Sequence, residues 1–195
     1  MAADYRVIDN YLPDHCLDSF QKNMMWNLDF PMSLNRDVAY PADNKNHRYG
    51  GLARFAKRKS QDYRDWYAIN VIYGAPLSID KNAWYYDMWN ECMGEKFMED
   101  FKVISLLRVK ANFYPPADKL IEHQPHIDYD VIDGKPDIQG ALYCINTCDG
   151  YTKLHDGTKI DSVANRLILF NSQKSHNSTN TTTTEGRWNI NINYL

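Results

Sequence analysis

Two side chains that bind transition metals stand two residues apart at His126 and Asp128. In an extended strand alternate side chains share a face, so both would reach toward one point. His176, further along the chain, can supply a third arm. Two imidazoles and one carboxylate on one side of a metal leave the other side open, which is the donor set of a non-haem Fe(II) centre. Alone, a His-x-Asp triplet arises easily by chance in a chain with 6 His and 25 acidic residues. Arg187 strengthens the reading. It follows His176 by eleven residues and opens the alternating segment Arg187 to Tyr194. A guanidinium deep in a barrel needs a carboxylate, and a ligand carboxylate suits its planar fork. His123, three residues before His126, has no acid two residues on and falls on the opposite strand face. It reads as a supporting or surface residue. His15, near the start of the first helix, and His47 and His155, in loops, stay outside the ligand set.

The elements that must hold these groups follow from periodicity. Strand signals dominate from Ile104 onward, with candidates at 104–114, 121–128, 139–147, 151–155, 158–163, 166–171, 175–179 and 187–194. Eight such strands fit a double-stranded β-helix, or jelly roll. Parity supports the arrangement. Leu107, Val109, Ala111 and Phe113 alternate with Arg108, Lys110, Asn112 and Tyr114, and Trp188, Ile190, Ile192 and Tyr194 alternate with Arg187, Asn189, Asn191 and Asn193. The apolar sets would meet helices, and the polar sets would line the barrel. A lining of asparagines is costly unless each amide is hydrogen-bonded, so it fits a wet, charged ligand site.

Upstream, Tyr5 to Asp9 reads as a short strand. Pro13-Asp14 starts a helix with Asp14 as N-cap and Leu17, Phe20 and Met24 at helical spacing. A second helix over roughly 80–99 carries Tyr85, Trp89, Met93 and Phe97 on one row and Trp84, Met88 and Cys92 on the next. That stripe reads as core packed on the outer face of the larger sheet. Residues 31–65 read as irregular. They include a basic cluster (Lys45, Arg48, Arg54, Lys57, Arg58, Lys59, Arg64) against the single acid Asp62, read either as a docking patch or as a solvated surface. The segment Tyr129 to Pro136 has Gly and Pro hinges and reads as a substrate lid.

A length of 195 residues suits one domain, 1–195, with 1–103 a helical and irregular support and 104–195 the jelly-roll core. A net charge of −3 gives no general electrostatic case for nucleic acid or membrane. No apolar run approaches membrane-spanning length, and the N-terminus lacks a signal-peptide pattern. The 4 cysteines show no metal-type spacing and read as reduced thiols of a cytoplasmic protein.

Several of these pieces together are similar to a known family. They are Asn112-x-Tyr114, His126-Ile127-Asp128, Gly140 to Asn146, Gly150-Tyr151-Thr152, Asn165 to Phe170, His176 and Arg187. The chain resembles the 2-oxoglutarate/Fe(II)-dependent dioxygenases, in their prolyl-4-hydroxylase-like branch, most of all the small versions carried by bacteriophages, for which the cytoplasm would be the host's. The resemblance is clear over 104–195 and weaker before it. It implies an α+β fold with a cupin-like double-stranded β-helix and N-terminal helices on the outer face of the major sheet. It implies Fe(II) held by His126, Asp128 and His176, with 2-oxoglutarate and O2 as cosubstrates and ascorbate as accessory reductant. The 5-carboxylate of 2-oxoglutarate would pair with Arg187, and Tyr114, Asn112, Asn189 and Asn191 would touch the cosubstrate. The products would be succinate, CO2 and a hydroxylated substrate, either a peptidyl proline or a small molecule. One departure stands out: Cys144 occupies the inward position of the third strand where such enzymes often place Tyr or Thr to share that carboxylate. Two other readings stay open, a cupin-like metal enzyme without 2-oxoglutarate and a non-catalytic barrel that binds through the 45–64 cluster.

Overall fold

The computed structural model describes residues 4–35, 66–74, 83–131, 134 and 136–195. The 45–64 cluster, His47 and part of the Tyr129 to Pro136 segment lie outside the described residues. Ten strands are present among them: β1 Tyr5–Ile8, β2 Ser33–Asn35, β3 Tyr67–Gly74, β4 Leu106–Tyr114, β5 Gln139–Cys144, β6 Tyr151–Leu154, β7 Lys159–Asp161, β8 Arg166–Asn171, β9 His176–Ser178 and β10 Arg187–Tyr194. Seven form one antiparallel sheet in the order β1-β8-β5-β10-β4-β3-β2, and three form a smaller one, β7-β6-β9. The helices are α1 (Asp14–Phe20), α2 (Trp84–Trp89) and α3 (Glu95–Asp100). A wider π turn, Gln21–Met25, prolongs α1, and another, Asn90–Gly94, joins α2 to α3.

Parity decides which side chains go where. Val109 and Ala111 of β4, Ala141 and Tyr143 of β5, Leu167 of β8 and Ile190 and Ile192 of β10 share one face of the large sheet. They form one core with Phe20, Met24, Trp89, Met93 and Phe97 from the helical segments. The opposite face carries Leu142, Cys144, Ile168 and Phe170, which pack against Leu154 and Ile160 of the small sheet. Phe20 and Phe97 are fully buried, and truncating either to Ala costs about 3–5 kcal/mol. Asn165 ties the two ends of this arrangement together. Its φ is +63°, a left-handed conformation that Asn tolerates. Its amide accepts from the Leu12 N–H at 2.8 Å and the Tyr143 hydroxyl at 3.1 Å and donates to the Leu12 carbonyl at 2.7 Å.

Four expectations need correction. Residues 121–128 are not a continuous strand. They meet the 172–181 segment through isolated bridges at Glu122–Thr179 and His126–His176, because Pro125 breaks the donor pattern a ladder requires. Asp14 is not the N-cap. Pro13 occupies that position with extended backbone, and Asp14 is the first helical residue, where its charge favours the positive end of the helix. The second helix is interrupted by its π turn. Finally, β2 and β3 fall outside the anticipated strands, although β3 is eight residues long and pairs directly with β4.

Candidate active site

β10 lies between β4 and β5, so the polar rows of β4 and β10 run side by side. Arg187 pairs with Tyr114, Asn189 with Asn112, Asn191 with Lys110 and Asn193 with Arg108. Over this ladder lies a cavity lined by Tyr67, Lys110, Asn112, Tyr114, Asn189 and Asn191 from the large sheet, and by Thr152, His126, Asp128 and His176 from the other side.

One ligand atom from each of His126, Asp128 and His176 lies within 4.8 Å of the others. Backbone bonds set this geometry. His126 and His176 exchange N–H···O=C bonds at 2.9 Å in both directions, and the Asp128 N–H donates to the Ser172 carbonyl at 2.9 Å. Nδ1 of His176 is 3.0 Å from the Lys174 carbonyl. As that carbonyl can only accept, Nδ1 carries a proton, and it is Nε2 that is left to turn to a metal. Both oxygens of Asp128 are held. Oδ1 accepts from Nη2 of Arg108 at 3.0 Å, and Oδ2 accepts from Asn193 at 2.9 Å and Asn191 at 3.3 Å. Burial alone would raise the Asp128 carboxyl, but Arg108, His176 and Lys110 outweigh it and hold the group well below the usual carboxylate range. Burial, reinforced by His176, lowers His126 to about 4. Asp128 is therefore a carboxylate and His126 a neutral imidazole, the protonation a divalent ion requires of each.

Arg187 is fully buried. Nη1 donates to the carbonyls of Tyr151 at 2.9 Å and Thr179 at 3.1 Å, and Nη2 donates to Oγ1 of Thr152 at 2.8 Å. The Tyr114 ring lies 5.7 Å from the guanidinium carbon. Among the described residues no carboxylate pairs with it, so Glu185 is not its partner. Gly150 makes room for its stem: a Cβ there would stand 2.7 Å from Cδ of Arg187 and 2.5 Å from the Asn180 carbonyl. Nearby, Nδ2 of Asn112 donates to Oδ1 of Asn189 at 2.8 Å. That leaves Oδ1 of Asn112, Nδ2 of Asn189 and Nε of Arg187 buried without a partner. Orphaned buried polar atoms are rare enough to require a reason. Here Asn112 and Asn189 line the cavity that also holds a metal-type triad, and Arg187 stands directly behind its lining residues Thr152 and Tyr114, so an anion with several oxygens would satisfy the donors. The residues fit a metal and a dicarboxylate.

The other expected site residues divide. Asn191 is engaged with Asp128. Tyr114 is buried, stacked on Tyr67 at 5.7 Å and on His123 at 5.3 Å. His123 is buried rather than superficial, 3.0 Å from the Ser178 hydroxyl. Burial, with Arg187 and His126 nearby, lowers it to about 4. Cys144 is fully buried in the inter-sheet core. The residue placed to share an anion with Arg187 is Thr152, signalled only by its place in Gly150-Tyr151-Thr152. Arg108, Lys110 and Asn193 also went unnoticed as site residues, although parity had already put them on the polar face. Burial next to Arg108 lowers Lys110 to about 7.

No protein-family model matches the sequence, and a comparison with curated proteins finds no relative. Solved structures do match. A prolyl hydroxylase from Trichoplax adhaerens, in complex with a hypoxia-inducible factor oxygen degradation domain peptide, superposes with a TM-score of 0.62 at 16% identity, over 100% of this chain and 84% of that one. The viral collagen prolyl hydroxylase of Paramecium Bursaria Chlorella virus-1, in its 2OG complex, gives 0.58 at 13% identity over 100% and 97%. HygX from Streptomyces hygroscopicus, with nickel and 2-oxoglutarate bound, gives 0.58 at 11% over 98% and 82%. The chain therefore has the jelly-roll fold of the 2-oxoglutarate-dependent oxygenases, prolyl hydroxylases among them. Among the described residues, no helix is long and apolar enough to cross a membrane.

Proposed function

We propose that the chain is an Fe(II)- and 2-oxoglutarate-dependent oxygenase that hydroxylates its substrate with release of succinate and CO2. The observation that carries this reading is Arg187, a buried cation without a carboxylate among the described residues, which stands directly behind Thr152 and Tyr114 in the lining of the cavity that holds His126, Asp128 and His176. In this reading 1–195 acts as one unit, with residues 1–103 supporting the barrel.

His126, Asp128 and His176 would hold the iron. Asn191, Asn193 and Arg108 keep the Asp128 carboxylate from rotating. Arg187, with Thr152 beside it, binds the 5-carboxylate. Nδ2 of Asn189 donates to the same ligand, and the Asn112 amide sets its orientation. Tyr114 walls off water, which strengthens each charge-assisted bond around Arg187. When bound, the metal and 2-oxoglutarate supply the oxidising chemistry with O2, and ascorbate keeps the metal reduced. A peptidyl proline is the favoured substrate, supported by the likeness to prolyl hydroxylases, one of them in complex with a peptide. The free cysteines Cys16, Cys92, Cys144 and Cys148 suit a reducing cytoplasm.

The test is succinate formation from 2-oxoglutarate with Fe(II), alone and with proline-containing peptides, together with divalent-metal content. Wild-type protein should take up one ion and turn over 2-oxoglutarate slowly even without substrate. Asp128→Ala should lose most of the metal affinity, because neutral imidazoles alone do not offset the cation's charge. Undiminished metal content in Asp128→Ala, or no succinate from iron-loaded wild-type protein under any condition, would reject the reading.

A further inference from the structure

The cavity carries a cation that the proposed chemistry leaves unused. Lys110 lines it from β4 but makes no ion pair or hydrogen bond with any described residue. Its Nζ lies 5.6 Å from the centre of the Tyr67 ring. Arg108, two residues earlier on the same face, is different: its charge is spent on Asp128 at 3.0 Å. Arg187 in turn is turned toward β6 and Thr179 through three hydrogen bonds. Lys110 leans the other way, toward Tyr67 of β3. The metal-type triad and the Arg187 pocket thus occupy the side of the cavity nearest β10 and the small sheet, and Lys110 occupies the flank nearest β3.

Charge bookkeeping points in the same direction. A divalent ion and dianionic 2-oxoglutarate cancel each other, and Asp128 cancels Arg108. Arg187, just behind the lining, then remains as net positive charge, joined by Lys110 once an anion draws a proton to its amine, and the cavity has no second acid among its lining residues. An unpaired ammonium in a poorly solvated wall is costly unless an anion meets it. Along the strand, Lys110 and Tyr114 are four residues apart, or about 13 Å. The five-carbon chain of 2-oxoglutarate spans only about 5 Å between its end carbons. A cosubstrate with one end at Arg187 and the other at the triad leaves the β3 flank open. Tyr67, stacked on Tyr114, gives that flank a flat apolar wall beside the charge.

Resting on the oxygenase reading, we propose that Lys110 is an anchoring point for the substrate to be oxidised, and that this substrate presents a carboxylate to it. The substrate class is thereby narrowed to acidic molecules, either an acidic residue near the oxidised position of a peptide or a small carboxylic acid, with an apolar portion against Tyr67.

The test uses full-length protein loaded with Zn(II), which is diamagnetic, and labelled at lysine side chains for NMR. The Lys110 signal is assigned by its loss in Lys110→Met. Acetate is the probe, and acetamide is its neutral isostere. With saturating 2-oxoglutarate, acetate should shift the Lys110 signal saturably and acetamide should not. By calorimetry, 2-oxoglutarate affinity in Lys110→Met should stay within about threefold of wild type. Lys110→Arg should retain acetate binding, and Lys110→Met should weaken it by about tenfold or more, the loss of one charge-assisted contact. A Lys110 signal that responds fully to 2-oxoglutarate and no further to acetate would hand the residue to the cosubstrate and overturn the proposal. So would equal shifts with acetamide, or unchanged acetate binding in Lys110→Met. Failure of 2-oxoglutarate to bind the Zn(II) protein would instead reject the underlying oxygenase reading, a distinct result in the same experiment.

Discussion

Replacing Arg187 by Ala separates binding from stability in a way the structure lets one calculate. In the ligand-free protein two effects oppose each other. The substitution removes a buried guanidinium that lacks a counter-charge, which is favourable. It also strips hydrogen bonds from the Tyr151 and Thr179 carbonyls and the Thr152 hydroxyl, at about 1–3 kcal/mol for each acceptor that water does not reach. The net loss should not exceed roughly 3 kcal/mol. At about 2–4 °C per kcal/mol for a chain of this size, the variant stays folded at 25 °C. Binding has no such compensation. Truncating one partner of a buried charge pair costs roughly 2–5 kcal/mol, or about 30-fold to several thousand-fold in dissociation constant. The assay is calorimetric titration of 2-oxoglutarate into Mn(II)-loaded protein under argon, paired with thermal unfolding. At ligand concentrations a hundred times its dissociation constant, wild-type protein should gain about 2.7 kcal/mol, and Arg187→Ala at the same concentration about 0.9 kcal/mol or less. Arg187→Lys should fall between, keeping the charge but losing the fork. Metal affinity should be untouched in both. A folded Arg187→Ala protein that binds 2-oxoglutarate within threefold of wild type would refute the reasoning.

Two further predictions concern the scaffold. His123 has an ordinary value of 6.5 that burial depresses to about 4, so the folded protein keeps the ring neutral while the unfolded chain takes up a proton. Its contribution is present above about pH 6.5 and is lost as the pH falls toward 4, by roughly 3 kcal/mol in all. Urea midpoints of metal-free protein across that window should fall, and a His123→Asn variant with an equally steep slope would count against the assignment. Asn165→Ala should cost about 3–4 kcal/mol from its lost bonds to Leu12 and Tyr143 and from its positive φ. Asn165→Gly, relieved of the φ penalty, should lie between it and wild type in urea denaturation, and equal losses would show that φ contributes nothing.

The candidate site was easier to read from sequence than its frame. His126, Asp128 and Arg187 carry chemistry in their side chains, and the alternation in 106–114 and 187–194 survives in both strands because each has one apolar and one polar face. What the sequence hid depends on pairing between distant segments. That Asn191 and Asn193 reach Asp128 follows from how β10 lies beside β4, which no local pattern encodes. Thr152 was visible as a residue but not as Arg187's neighbour, since that contact crosses from one sheet to the other. The 121–128 segment misled because alternation was read through Pro125, where the backbone cannot donate. β3 was missed despite its β-branched and aromatic run at Ile69, Val71, Ile72 and Tyr73, which lies next to a stretch read as irregular.

The position of β10 has a consequence for how the molecule is made. It is the last of the ten described strands to be synthesised, yet it sits in the middle of the seven-stranded sheet, between β5 and β4. Until it arrives, both neighbours present bare edges, each a template for pairing with another chain. All of its contacts to β5 and β4 are also long in sequence, the kind that form slowly. A nascent chain would therefore hold two half-sheets apart, with Asp128 lacking its asparagine partners, and close them only when residues 187–194 emerge. Such a chain is exposed to aggregation during that interval, and a carboxy-terminal truncation that removes this strand would make the interval permanent.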